Sequence, residues 1–257
     1  MSHTPEELPG LTAFPVPKPP NAIDREIVSP DGRLRLAIYR VGFQIQREIR
    51  NEFDPWLRYY RAKIELGGRQ IGQLAYRLIN PQYLDEFQED LQMSEHGAQE
   101  LETIGGFLFN KDGSLQERWG TGSLSGTGVF GTDLAASGEK VALLNCSDSA
   151  PRGDFLMIED SHRRRGIGLW AILSLFSLLK EEGIKYIITC PSIPRLNPSL
   201  KGTPTEERLL RRNIAFVRKA GFRRIGLSPA FAYMLQDEEH PSRRLAADAD
   251  MDPARLI

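Results

Sequence analysis

Residues 154–190 place the tightest limit on what this chain can become. Asp154 to Glu159 reads as a strand, Gly166 to Glu182 as a helix, and Ile184 to Cys190 as an apolar, β-branched strand. The helix is apolar almost all round. Its polar positions Ser174, Ser177 and Glu181 make one narrow stripe, so most of its surface has to be covered by other elements. Gly183 supplies a natural stop. A strand, a helix too apolar to stand in water and a second apolar strand predict a layered α/β or α+β domain, with the helix lying on a sheet.

The remaining elements fit around that unit. Arg33 to Val41 alternates about Leu34, Leu36 and Ile38 after the turn Ser29-Pro30-Asp31-Gly32, and predicts a strand. Trp56 to Leu66 and Gln70 to Ile79 flank Gly67-Gly68 and predict an antiparallel hairpin. Pro81 to Phe109 carries apolar residues at helical spacing, and residues 110–138 are glycine- and serine-rich and predict a long loop region. Lys140 to Asn145 is a strand candidate. Thr203-Pro204-Thr205-Glu206 is a capping box with proline at the first helical position. The helix it opens runs to Gly221, followed by strands over Phe222 to Leu227 and Phe231 to Gln236. Residues 1–22 are a proline-rich, polar lead with neither a basic start nor an apolar core, which argues against a secretory signal. Residues 237–257 read as a charged tail with at most a short helix. A single domain over 23–236, with an insertion at about 80–150, is the expected organisation.

The turn Ser161-His162-Arg163-Arg164-Arg165-Gly166-Ile167-Gly168 joins the first of those strands to the apolar helix. The first turn of a helix has backbone N–H groups without partners and a partial positive charge. Glycine lets an anion approach that backbone, and arginines bond phosphate oxygens bidentately. A diphosphate is the guest such a corner suits. The same glycines would also serve an ordinary tight turn. The third glycine of a dinucleotide fingerprint and the Gly-Lys-Ser/Thr ending of a phosphate-binding loop are both missing.

Ile158 to Gly168, with its Arg-x-x-Gly-x-Gly spacing, resembles the acyl-CoA motif of the GNAT N-acetyltransferase superfamily. The later Asn213-Ile214-Ala215-Phe216-Val217-Arg218-Lys219-Ala220-Gly221-Phe222 resembles the family's second motif, which ends in Lys-x-Gly-Phe. The likeness covers roughly residues 152–236, and the insertion resembles that of fungal GNAT-like proteins. It implies a central mixed, mostly antiparallel twisted sheet with flanking helices, in which the fourth and fifth strands splay apart. It further implies acetyl-CoA or another acyl-CoA as co-substrate, with no metal. Backbone groups of Leu156, Met157 and Ile158 would meet the pantetheine arm. Arg163, Arg164, Arg165, Gly166, Ile167 and Gly168 would hold the diphosphate, and Asn213 would lie near the pantetheine. The basic stretch from Arg208 to Arg224 could also meet the 3′-phosphate, although a charge run is more often a solvated face.

The reaction implied is transfer of an acyl group to an amine, which needs a base and an acid. Asp154 stands where many members place an acidic residue, with Glu159 and His162 as alternatives. The family's usual tyrosine, four residues before the Gly-Phe glycine, is replaced by Val217. Tyr233 or water would then protonate the thiolate, or the chain keeps the fold without turnover. Trp56, Tyr59, Tyr60 and Phe130 are candidates for an acceptor pocket or for ordinary packing. The acceptor is expected to be a small-molecule amine or a protein amino group, and a homodimer is compatible with the sequence.

Composition narrows the field further. A formal net charge of -1 over 257 residues gives no global attraction for nucleic acid, so any anion site must come from local clustering. The longest dense apolar stretch, Ile167 to Leu179, is short and contains serines, so no membrane span is expected. Two cysteines, Cys146 and Cys190, make no disulfide framework and fit a reducing, cytoplasmic setting.

Overall fold

The computed structural model describes residues 23–40, 43–45, 48–50, 57–79, 110, 141–144, 156–191, 203–225 and 228–247. The helical pattern over Pro81 to Phe109, nearly all of the glycine-rich stretch, the proline-rich lead, Trp56, Phe130 and Asp154 lie outside these residues.

The chain enters with β1 (Ile23–Val28) and β2 (Leu34–Arg40), which pair antiparallel. Gly32, at φ 70°, turns the chain between them. There Ser29 Oγ donates to Asp31 Oδ1 at 2.5 Å and accepts from the Leu34 amide at 2.9 Å. β1 has no counterpart among the strands expected from sequence. Two short strands, β3 (Phe43–Ile45) and β4 (Glu48–Arg50), form a small ladder of their own. The hairpin follows as β5 (Leu57–Leu66) and β6 (Arg69–Ile79). Gly67 at φ 57° and Gly68 at φ 82° take the two left-handed positions of its turn. Across it, Tyr60 and Tyr76 stand directly opposite and stack with ring centroids 4.9 Å apart.

The second half supplies β7 (Val141–Leu144), β8 (Met157–Ile158), α1 (Ile167–Glu181), β9 (Tyr186–Thr189) and α2 (Pro204–Lys219). It ends with β10 (Arg223–Arg224), β11 (Phe231–Met234) and a one-turn helix α3 (Pro241–Arg244). Strands other than β3 and β4 form one sheet in the order β1-β2-β5-β6-β7-β9-β11-β10, with β8 also on β6. β7 and β9 run parallel, and the other described pairs are antiparallel. The fold is therefore α+β with a mixed, mostly antiparallel sheet.

One strand position is shared by two segments. β6 pairs Tyr76 through Ile79 with β7, and Gly72 and Gln73 with β8. Residues 145–156 of the chain thus fall between two ladder segments that only Leu74 and Ala75 separate on β6. Of the strand expected as Asp154 to Glu159, Met157 and Ile158 form β8, and Asp154 and Phe155 lie outside the described residues. β9 pairs with β7 and not with β8.

α1 covers the face formed by Leu36, Ile38, Ala62, Ile64, Leu74 and Tyr76. Its exposed stripe is Leu173, Ser177, Lys180 and Glu181, close to the polar stripe expected but with an apolar member. All four residues of β9 are buried, as a strand covered on both faces requires. Thr203 Oγ1 accepts from the Glu206 amide at 3.2 Å and caps α2, with Pro204 at its first position. The segment expected to begin a charged tail, with at most a short helix, carries the one-turn α3, with His240 and Ser242 buried. Among the described residues, no helix is long and apolar enough to cross a membrane.

Candidate anion-binding turn

The site begins with how β8 is held. A Cβ at Gly72 would run into the backbone carbonyl of Met157 and lie 2.9 Å from Ile158 Cδ1. Only glycine lets β8 approach β6 this closely. The Glu159 amide then donates to Ile71 O at 2.8 Å, and Arg69 pairs with the Glu159 carboxylate at 2.9 Å. A single 3-10 turn over Asp160–His162 follows.

Arg163 closes that turn and does not project from it. Its Nε donates to Ile158 O at 2.8 Å and its guanidinium pairs with Asp160 at 2.6 Å. Arg164 adopts φ 62°, the one left-handed residue other than glycine in the described chain, and Gly166 follows at φ 80°. Left-handed residues set close to right-handed ones turn successive N–H groups toward one side and form a concave nest for an anion. Gly166 is the N-cap residue of α1 and no side chain caps that helix. From Arg164 to Leu169, no amide donates to a backbone acceptor among the described residues. The first to do so is Trp170, to Gly166 O at 2.9 Å. Arg164 and Arg165 are exposed and make no hydrogen bond or ion pair with a described residue. Amides without a described partner and the positive end of α1 thus fall together on the turn that carries Arg164 and Arg165.

Gly166 faces open space, and Gly168 does not. A Cβ at Gly168 would touch Leu156 Cδ2 at 3.4 Å and Phe216 Cζ at 3.6 Å. Leu156, just before β8, and Phe216, on α2, therefore both lie beside the helix start. Ile158 packs on the core and Ile167 is buried in it, whereas Met157 is 46% exposed. Asn213 is half-buried on α2, roughly one turn before Phe216, and has partners of its own.

Asp154 lies outside the described residues. Glu159 is exposed and engaged by Arg69 and by His162, whose Nδ1 is 3.5 Å away and also 2.8 Å from Ser161 Oγ. Tyr233 packs against Phe176 at 4.3 Å between centroids, far along α1 from its start. Its hydroxyl accepts from Arg243 at 2.6 Å. Val217 is buried. Tyr60 belongs to the core and Tyr59 is buried beneath the Arg77 guanidinium, so both serve packing.

No family model matches this chain, and no curated protein matches it. Among solved structures, the apo form of a mutant agmatine N-acetyltransferase aligns at a TM-score of 0.36 with 10% identity, covering 68% of this chain and 76% of that one. A likeness so distant carries no argument about activity.

Of the basic residues on and after α2, several have structural partners. Arg223 donates to the carbonyls of Phe222 and Leu245, and Arg224 to that of Ser228 while lying 4.4 Å over the Phe231 ring. Arg208, Arg212 and Lys219 remain on the exposed face. Among the described residues, no group of His, Cys, Asp or Glu is placed to hold a metal. Gly72, Phe216 and Arg243 were not singled out by the sequence. Gly72 alone left a signal, an isolated glycine inside a strand.

Proposed function

We propose that this chain is an acyl-CoA-dependent N-acyltransferase, moving an acetyl group from acetyl-CoA to a primary amine on a small molecule or a protein. The observation that carries the reading is the run of amides from Arg164 to Leu169 without a backbone acceptor among the described residues, bent by left-handed Arg164 and Gly166. A diphosphate fits that donor set, because each N–H bond to a charged oxygen is charge-assisted. The break between β7 and β8, with β9 paired to β7 and not to β8, supports a cleft beyond the diphosphate for a pantetheine arm. In the transfer, the amine nitrogen attacks the thioester carbon, the C–S bond breaks, a base takes the amine proton and the thiolate gains a proton. Asp154, Glu159 and Tyr233 are the groups to test for those steps, and Tyr233 would first have to leave Arg243.

A thermal melt with acetyl-CoA tests binding, because a ligand held only by the native state raises the melting temperature. No shift at millimolar acetyl-CoA overturns the reading. Thiol release against a panel of amines then tests turnover.

A second reading, a binding module of the same fold without turnover, is favoured by a specific observation. Val217 occupies the place the resemblance gives to tyrosine, and the nearest substitute, Tyr233, has its hydroxyl engaged. A thermal shift without thiol release from any amine would select it.

A further inference from the structure

The outward face of α2 carries a charge pattern that the fold does not use. Val217 and Ala220 turn inward and are buried, and Ile214 packs on the core. The opposite side exposes Arg208, Arg211, Arg212, Ala215 and Lys219, with Glu207 as its one exposed acid. The chain as a whole has a formal net charge of -1, so this cationic stripe is a local feature. Arg211 pairs with Glu207 at 2.6 Å. Arg208, Arg212 and Lys219 have no ion pair among the described residues. Arg208 and Arg212 stand one turn apart, and like charges at that spacing destabilise a helix. A face that only meets water mixes its signs, as Glu207 and Arg211 do. Just beyond α2, Arg223 and Arg224 are buried and bonded to carbonyls. Arginines with an internal task thus turn inward, and those of the stripe do not.

Arg208, Arg212, Ala215 and Lys219 follow one another at intervals of four, three and four residues. That is the spacing of a seam along which a second helix can lie, here about 16 Å long. Small Ala215 lets a partner approach the middle, and cations stand at either end. We propose that this seam docks an acidic α-helix of another protein, one with carboxylate side chains at the same four-three-four interval. None of its residues belongs to the turn from Arg164 to Leu169, so the proposal stands apart from the acyl-transfer reading. The chemistry favours this partner over other polyanions. Single-stranded nucleic acid is gripped by aromatic rings that stack its bases, and the stripe has none. An anionic membrane is held by a helix that inserts its apolar side, and that side of α2 is packed on the core.

The test is fluorescence anisotropy of a labelled helical peptide titrated with the full chain. The peptide carries glutamate opposite each seam cation and alanine opposite Ala215. Binding is expected, weakening as salt is raised. A peptide with glutamine in place of glutamate should bind about tenfold more weakly, as expected for several exposed ion pairs lost together. Arg208→Glu combined with Arg212→Glu should weaken the glutamate peptide by a similar factor and create affinity for a lysine-bearing peptide. That gain shows the variant to be folded. Arg164→Ala with Arg165→Ala should leave peptide affinity unchanged. The proposal is overturned if the wild type ignores the glutamate peptide, if it binds the glutamine peptide equally well, or if the reversed chain keeps its affinity for glutamate. Tighter binding of single-stranded RNA or phosphatidylserine vesicles through Arg208 and Arg212 would also overturn it.

Discussion

At the C-terminal end of α1 the chain satisfies its own backbone. The amides of Glu182, Gly183 and Ile184 return to Leu178, Lys180 and Leu179, and Gln236 Nε2 donates to the carbonyls of Lys180 and Ile184. Lys180 pairs with Glu238, Arg243 with the Tyr233 hydroxyl, and Arg223 with the Leu245 carbonyl. At the N-terminal end of the same helix, glycine occupies the cap position and the amides from Arg164 to Leu169 have no such partners among the described residues. Both ends of any helix begin with the same deficit. The chain can cap a helix start, as Thr203 does for α2. The open corner at α1 is therefore a local property of its turn, and it is where binding chemistry should be sought.

The comparison is broken most directly at Gly72. Gly72→Val would drive a side chain into the Met157 carbonyl and push β8, and the turn after it, off the sheet. We expect a loss of about 3 kcal/mol or more, typical of forcing atoms into an occupied site, and loss of the acetyl-CoA shift. A variant that melts like wild type and still responds would show that β6 does not hold the turn. Gly221→Ala probes the opposite end. Gly221 sits at φ 99°, and a Cβ there would lie 2.8 Å from Tyr233 Cε2. The expected cost is about 1–3 kcal/mol, with the rise caused by acetyl-CoA preserved, and calorimetric melts with and without ligand would show both. Loss of that rise would mean that the two ends are coupled.

Replacing Arg164 and Arg165 together by alanine should sharpen the contrast. Both are exposed without described partners, so stability should change by about 0.5 kcal/mol or less. Coenzyme A affinity should fall roughly tenfold through lost charge-assisted bonds. Denaturant melts and titration calorimetry would separate the two effects, and unchanged affinity would remove the arginines from the site. The smallest effect concerns pH. The hydrogen bond from Lys180 holds the Glu238 carboxyl below the usual glutamate range, with the charge of Lys180 adding to it. A carboxyl lowered in the folded state gives stability that is present above its unfolded value and is lost as pH falls through the lowered one. The pair is exposed, so the loss should be slight and screened by salt. Comparing wild type with Glu238→Gln between about pH 6 and pH 3 should show a marginally steeper fall for wild type.

Where the physics is local, the sequence was a good guide. The hairpin about Gly67-Gly68, the capped start of α2 and the run of the apolar helix were read within a residue or two of their observed limits. The arginine-glycine turn also stands between a strand and that helix. Single side chains were harder to place. Arg163, grouped with its neighbours as a phosphate ligand, is bonded back to Ile158 and Asp160. Tyr233 is a candidate acid by its place in the chain, and its surroundings come from Phe176, Phe222 and Arg243. None of those contacts leaves a trace in local spacing.

The sequence by itself determined the elements and the composition of the turn, because helix capping, glycine's left-handed conformations and hydrophobic periodicity act over a few residues. Tertiary structure alone decided that β7 and β8 share one position on β6, that Gly72 exists to admit Met157, and that Phe216 closes over Gly168. Each of these is a steric fit between segments distant in the chain, and such fits are settled only when the backbones meet.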